Sequence, residues 1–105
     1  LRRAGGDEAV ARTLALLERT TSEKLAELSD AIHARNIERS VTLTHFIKGG
    51  VSMLGMRNFS EQVLDLEQHA RAGRMNECSV LLPRLRESFR RDMLALNTFF
   101  TRLPR

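Results

Sequence analysis

Apolar residues return every three, four or seven positions through most of this chain, and that rhythm limits its possible folds more than any other feature. Val10, Leu14, Leu17, Leu25, Leu28 and Ile32 form one stripe about seven turns long, with Thr21 filling its gap. Glu8, Arg12, Arg19, Glu23 and Glu27 fall mostly away from it, as a solvated face should. The spacing predicts a first helix over residues 7–35, capped by Asp7. It is expected to break at Asn36, a residue type that tolerates the left-handed conformation in which helices end.

The same rhythm gives a second helix over 37–54, which Gly55 is suited to end. Asn58 and Glu61 resemble a capping box, and Phe59, Val63, Leu66 and Ala70 continue as a shorter stripe that stops near Gly73, so a third helix is expected over 58–72. Asn76 is placed to cap a fourth helix over 76–101, with Met75 and Val80 as a hydrophobic staple. Leu82, Leu85, Phe89, Met93, Leu96 and Phe100 carry its apolar face. Pro83 interrupts that pattern, because its ring crowds the carbonyl of Ser79 and its nitrogen donates no hydrogen bond, so a kink or restart is expected there.

No segment alternates with the period of a strand, and a chain without Trp or Tyr, with two Pro, leans the same way. The expected fold is all-α: an antiparallel, up-down-up-down four-helix bundle with one core. At 105 residues and 42% hydrophobic, the chain can close that core without a metal or a disulfide. Residues 1–6 read as a linker remnant and 7–105 as the bundle domain, so a piece of a longer protein is expected.

Charge and cysteine narrow the setting. Residues 71–105 hold eight arginines against Glu77, Glu87 and Asp92, so the net charge of +4 is concentrated in the last third. A basic helix of this kind can serve nucleic acid or an acidic protein, or be no more than a solvated face. Cys78 alone excludes an intramolecular disulfide framework and fits a reducing compartment. No run of 18 or more apolar residues occurs, so a soluble, cytoplasmic domain without membrane contact of its own is expected.

The chemistry is concentrated at Thr44-His45-Phe46-Ile47-Lys48-Gly49-Gly50, where two adjacent glycines stand inside a good helical pattern. Each glycine costs roughly 0.5–1 kcal/mol relative to Ala, so a reason other than stability is required. At about 100° per residue, Ser40, Leu43, Thr44, Ile47, Val51 and Leu54 gather on the buried side, and His45 projects roughly 140° from their centre. Lys48, Gly49 and Ser52 share its face. An exposed neutral imidazole is a nucleophile near neutral pH. Lys48 adds a cation that can meet phosphoryl oxygens, and Gly49 keeps the approach to the ring open for a large partner. Gly50 falls at the edge of the apolar stripe, where close packing against a neighbouring helix is the expectation.

His45-Phe46-Ile47-Lys48-Gly49, the small Gly50, and Leu54-Gly55 resemble the signature of histidine phosphotransfer domains. The similarity extends through Leu66-Glu67, Ala70-Arg71-Ala72-Gly73 and Leu81-Leu82-Pro83-Arg84-Leu85, which resemble that family's third helix, its turn and its kinked fourth helix. Thr44 stands where alanine is common and Ile47 where leucine is common.

The resemblance implies a relay. His45 would take a phosphoryl group from the aspartyl phosphate of a receiver domain and pass it to the aspartate of another. His45, Lys48 and Gly49 are then the expected catalytic residues. The implied partners are receiver domains of response regulators or of a parent hybrid sensor histidine kinase. No cofactor is expected on this domain, because Mg²⁺ would come with the receiver. No ATP-dependent kinase activity is expected, since no GxxxxGK[ST] loop or kinase motif occurs.

Phe46 and Met53 lie seven residues apart near the His45 face and, with Ser52, are candidate docking residues; half burial of the apolar pair under a neighbouring helix is the alternative. His33 and His69 carry no metal-ligand pattern. Cys78 reads as a small packed side chain. The competing functional class is a helical interaction module or nucleic-acid binder that uses the arginine-rich fourth helix.

Overall fold

A computed structural model describes the backbone of residues 2–51 and 55–101 and the side chains of residues 8–51 and 55–100. The described residues form four helices and no strand: α1 (Arg2–His33), α2 (Ile37–Val51), α3 (Arg57–Arg71) and α4 (Met75–Thr101). Each helix packs against the next, and α4 closes onto α1. That arrangement is a four-helix bundle.

The apolar stripes build its core. Leu14, Leu25, Leu28 and Ile32 are buried on α1, and Val10 and Leu17 pack half-buried against them. Thr21 is buried within the same stripe. Phe59, Val63, Leu66 and Ala70 are buried on α3, and Leu82, Leu85, Phe89 and Met93 on α4. The rings of Phe59 and Phe89 tilt together with centroids 5.0 Å apart, joining α3 to α4. On α2 the buried side includes two hydroxyls, Ser40 and Thr44, which donate back to carbonyls of Asn36, Ser40 and Val41 and so enter the core satisfied.

Helix ends follow tertiary rather than local rules in several places. α1 begins at Arg2, so residues 2–6, read as linker, have helical backbone, and Asp7 lies inside the helix rather than capping it. At its other end Arg35, not Asn36, takes the left-handed conformation with φ 57°. Asn36 N–H bonds the Ala31 carbonyl and Arg35 N–H bonds Ile32, a Schellman turn. Asn36 is thereby released to cap α2, its Oδ1 accepting from Arg39 N–H at 3.0 Å. Gly73, at φ 76°, closes α3 by the same geometry.

The capping box at Asn58 and Glu61 does not form, because α3 starts at Arg57 and Met56 occupies the cap without a side-chain bond. The acceptor comes from α4 instead: Asp92 takes the Phe59 N–H at 2.9 Å. Asp92→Ala is therefore expected to destabilise the bundle by about 1–2 kcal/mol, the usual effect of losing a helix cap, and urea unfolding would measure it.

α4 starts at Met75, which places Asn76 within its first turn, where Oδ1 accepts from Arg35 of the α1–α2 turn at 3.2 Å. The staple is absent as well, since Met75 is buried and Val80 is exposed. α4 then runs through Pro83 without a restart. Pro83 and Ser79 are both exposed, so water can satisfy the carbonyl that lacks its helical donor. The expected continuation of the second helix to residue 54 lies outside the described residues.

Candidate functional site

α2 buries Ser40, Leu43, Thr44, Ile47 and Val51, and this fixes the rotation of the helix. His45, well off that stripe, is left with 71% of its side chain exposed. Its Nδ1 lies 3.8 Å from Oε2 of Glu67 on α3. That separation is too long for a hydrogen bond, but it sets the carboxylate against the Nδ1 edge of the ring.

Glu67 is the centre of the site although only 2% of its surface is exposed. Lys48 Nζ donates to Oε1 at 3.1 Å and Arg71 Nη2 to Oε2 at 2.9 Å. Burial pushes the Glu67 carboxyl up, but the hydrogen bonds and charges of Arg71 and Lys48 outweigh it and hold the group below its usual 4.5. A buried carboxylate thus orders two cations beside an exposed imidazole. Lys48 uses one of three ammonium donors on Glu67 and Arg71 one of five guanidinium donors, so both have N–H groups to offer an anion.

Neither Glu67 nor Arg71 stands out from the spacing of chemical groups along the chain. The available signal was Glu67 itself, a carboxylate on the stripe of Phe59, Val63, Leu66 and Ala70, where a charge requires a partner. Arg71, one turn later, is half of that partner.

Gly49 and Gly50 extend the open surface beside His45. Both are exposed, and a Cβ added at either would meet no atom within 4 Å. Gly50 is therefore not packed against a neighbouring helix as expected. It lies about 75° from the centre of the buried stripe, beyond the reach of the flanking side chains. Ala at either position is expected to raise stability by up to about 1 kcal/mol, read as a higher melting temperature. Leu at Gly49 should also leave the domain folded but obstruct a partner approaching His45.

Phe46 is 55% exposed, and Lys24 of α1 holds its ammonium 5.1 Å from the ring centroid. Ser52 and Met53, the other expected docking residues, lie outside the described residues. Cys78 is buried, and burial raises its thiol above the ordinary value, which fits a packed side chain. His33 bonds the Ser29 carbonyl through Nδ1, and His69 lies between Asp65 and Arg74. Among the described residues no group of three or more His, Cys, Asp or Glu is placed to hold a metal. On α4, Arg90 and Arg91 both bond Glu87, which neutralises part of the basic face.

Comparison with known protein families matches residues 12–95 to the Hpt domain. The chain belongs to the Hpt domain family. No curated protein and no solved structure gives a significant match. Membership assigns this Hpt domain to histidine phosphotransfer in two-component signalling, in which such domains interact with receiver domains. Among the described residues, no helix of the Hpt domain is long and apolar enough to cross a membrane.

Proposed function

We propose that this Hpt domain is a phosphorelay intermediate in which His45 accepts a phosphoryl group from one receiver aspartate and passes it to another. The observation that carries the reading is the exposed imidazole facing a buried carboxylate that orders two cations. In the accepting step the Nε2 lone pair attacks phosphorus and an N–P bond forms. The P–O bond to the receiver aspartate breaks, and its electron pair leaves with the carboxylate. The positive charge left on the ring faces Glu67 through Nδ1–H. Lys48 and Arg71 meet the phosphoryl oxygens, and Gly49 keeps the in-line path clear. The donating step is the reverse, onto the second aspartate.

The receiver supplies Mg²⁺, and this domain uses neither a resident cofactor nor ATP. The scaffold is read as alternating in direction, with a bend at Pro83; the three-residue turns at 34–36 and 72–74, each closed by a Schellman pair, support the alternation. A cytoplasmic location within a hybrid sensor histidine kinase completes the proposal.

The test is to mix the domain with each receiver of its organism, charged with acetyl phosphate, and to follow acid-labile, base-stable phosphate. Transfer is expected from at least one, and its absence from all would sink the relay. Lys48→Ala is expected to slow that transfer while leaving folding intact, and an unchanged rate at low and high salt would remove Lys48 from the mechanism.

A further inference from the structure

His45 shares its exposed surface with a pair that the transfer chemistry does not use. Phe46 is an aromatic residue left 55% exposed beside the nucleophile. Lys24, from a different helix, stands 5.1 Å from the centre of that ring, and its contacts to Glu27 are long, at 3.4 and 3.5 Å. A cation over a ring open to water is weakly held, and covering both strengthens the attraction because water no longer competes. The pair therefore gains most when a second surface closes over it.

The charge around it selects what that surface can be. Three helices bring cations to the surface around α2: Lys24 on α1 over the Phe46 ring, and Lys48 on α2 and Arg71 on α3 at Glu67. Glu67 is buried and paired with Lys48 and Arg71, while Lys24 has Glu27 of its own helix at 3.4 Å, a carboxylate that Arg39 also engages. The apolar ring of Phe46 and the bare backbone at Gly49 and Gly50 lie beside them. A protein site that carries an aspartyl phosphate and Mg²⁺ is rimmed by carboxylates, because Mg²⁺ is held by carboxylate and phosphate oxygens. Such a rim complements this surface in sign.

We propose that Lys24 and Phe46 form a docking and specificity element for the acidic rim of the receiver. The inference rests on the relay reading and adds to it a residue of α1 that takes no part in the transfer chemistry. Lys24 acts on encounter and affinity rather than on the bond that breaks.

The experiment measures transfer from receivers charged with acetyl phosphate to the wild type, Lys24→Ala, Lys24→Arg, Phe46→Ala, the double Ala variant and Arg84→Ala. Lys24→Ala and Phe46→Ala are each expected to raise KM for the receiver about tenfold at low salt, with the effect residing in KM rather than kcat. The double variant should raise KM by less than the product of the two, and Lys24→Arg should restore most of the loss. Arg84, exposed on α4, controls for net charge, and its variant should keep the wild-type KM. An unchanged KM in Lys24→Ala, or an equal rise in Arg84→Ala, would overturn the inference and leave the relay standing. If phosphoramidate labels His45 of the wild type but no receiver transfers to it, the relay reading fails and takes this inference with it.

Discussion

Replacing His45 with Gln is expected to abolish phosphate acceptance while leaving the domain folded. The imidazole is 71% exposed, and its approach to Glu67 is a long 3.8 Å, so its loss removes little packing. Stability should change by about 0.5 kcal/mol or less, as for other surface positions. The amide of Gln has no nitrogen lone pair available to attack phosphorus, and no second histidine stands beside it among the described residues. Label retained by the variant after mixing with a charged receiver would move the phosphorylation site elsewhere. A variant that unfolds would show instead that the ring is part of the packing.

The second large effect is expected at Glu67. Glu67→Gln keeps the shape of a buried side chain but leaves Lys48 and Arg71 without a carboxylate, and should lower stability by about 1–3 kcal/mol. For a domain of this size that corresponds to a melting temperature lower by roughly 4–8 °C per kcal/mol. The pH dependence gives a signature of its own. Folded Glu67 titrates below its usual 4.5, so its ion pairs contribute fully above that value and are lost as pH falls through the lower folded value. The wild type should therefore lose stability in acid over that window, and the Gln variant should lose less. Glu87, held low by Arg90 and Arg91 on an exposed surface, remains in both proteins and accounts for part of the residual slope. Transfer from a charged receiver should slow about tenfold or more, because Nδ1 of His45 no longer faces a negative charge. Identical acid limbs in the two proteins would mean that Glu67 is not a buried, charged group.

How far the sequence could be read depended on whether a feature is set within one helix or between two. The stripe of Leu14, Leu25, Leu28 and Ile32, and the outward rotation of His45, need only the 3.6-residue period, which each segment carries in its own residues. Gly55 and Gly73, both at positive φ, were legible for the same reason. Local signals misled where a partner came from afar. Asn58 looked like a cap, yet the acceptor for α3 is Asp92, 33 residues along the chain, because α4 lies against the N-terminus of α3. Asn36 and Asn76 were each one role away from the expected one, since the turn geometry placed the left-handed residue at Arg35 and brought Asn76 within its reach.

The site divides along the same line. His45, Lys48 and Gly49 occupy one helix, and their order along the chain was enough to bring them together. Glu67 and Arg71 joined them because α2 and α3 pack at one particular rotation and axial offset, and Lys24 reached Phe46 through the packing of α1 on α2. The sequence by itself determined four amphipathic helices and an exposed histidine, because periodicity is a property of neighbours in the chain. Only the tertiary structure decided which carboxylate faces that histidine and which cations surround it, because rotation and offset between helices are set by the summed packing of every core side chain.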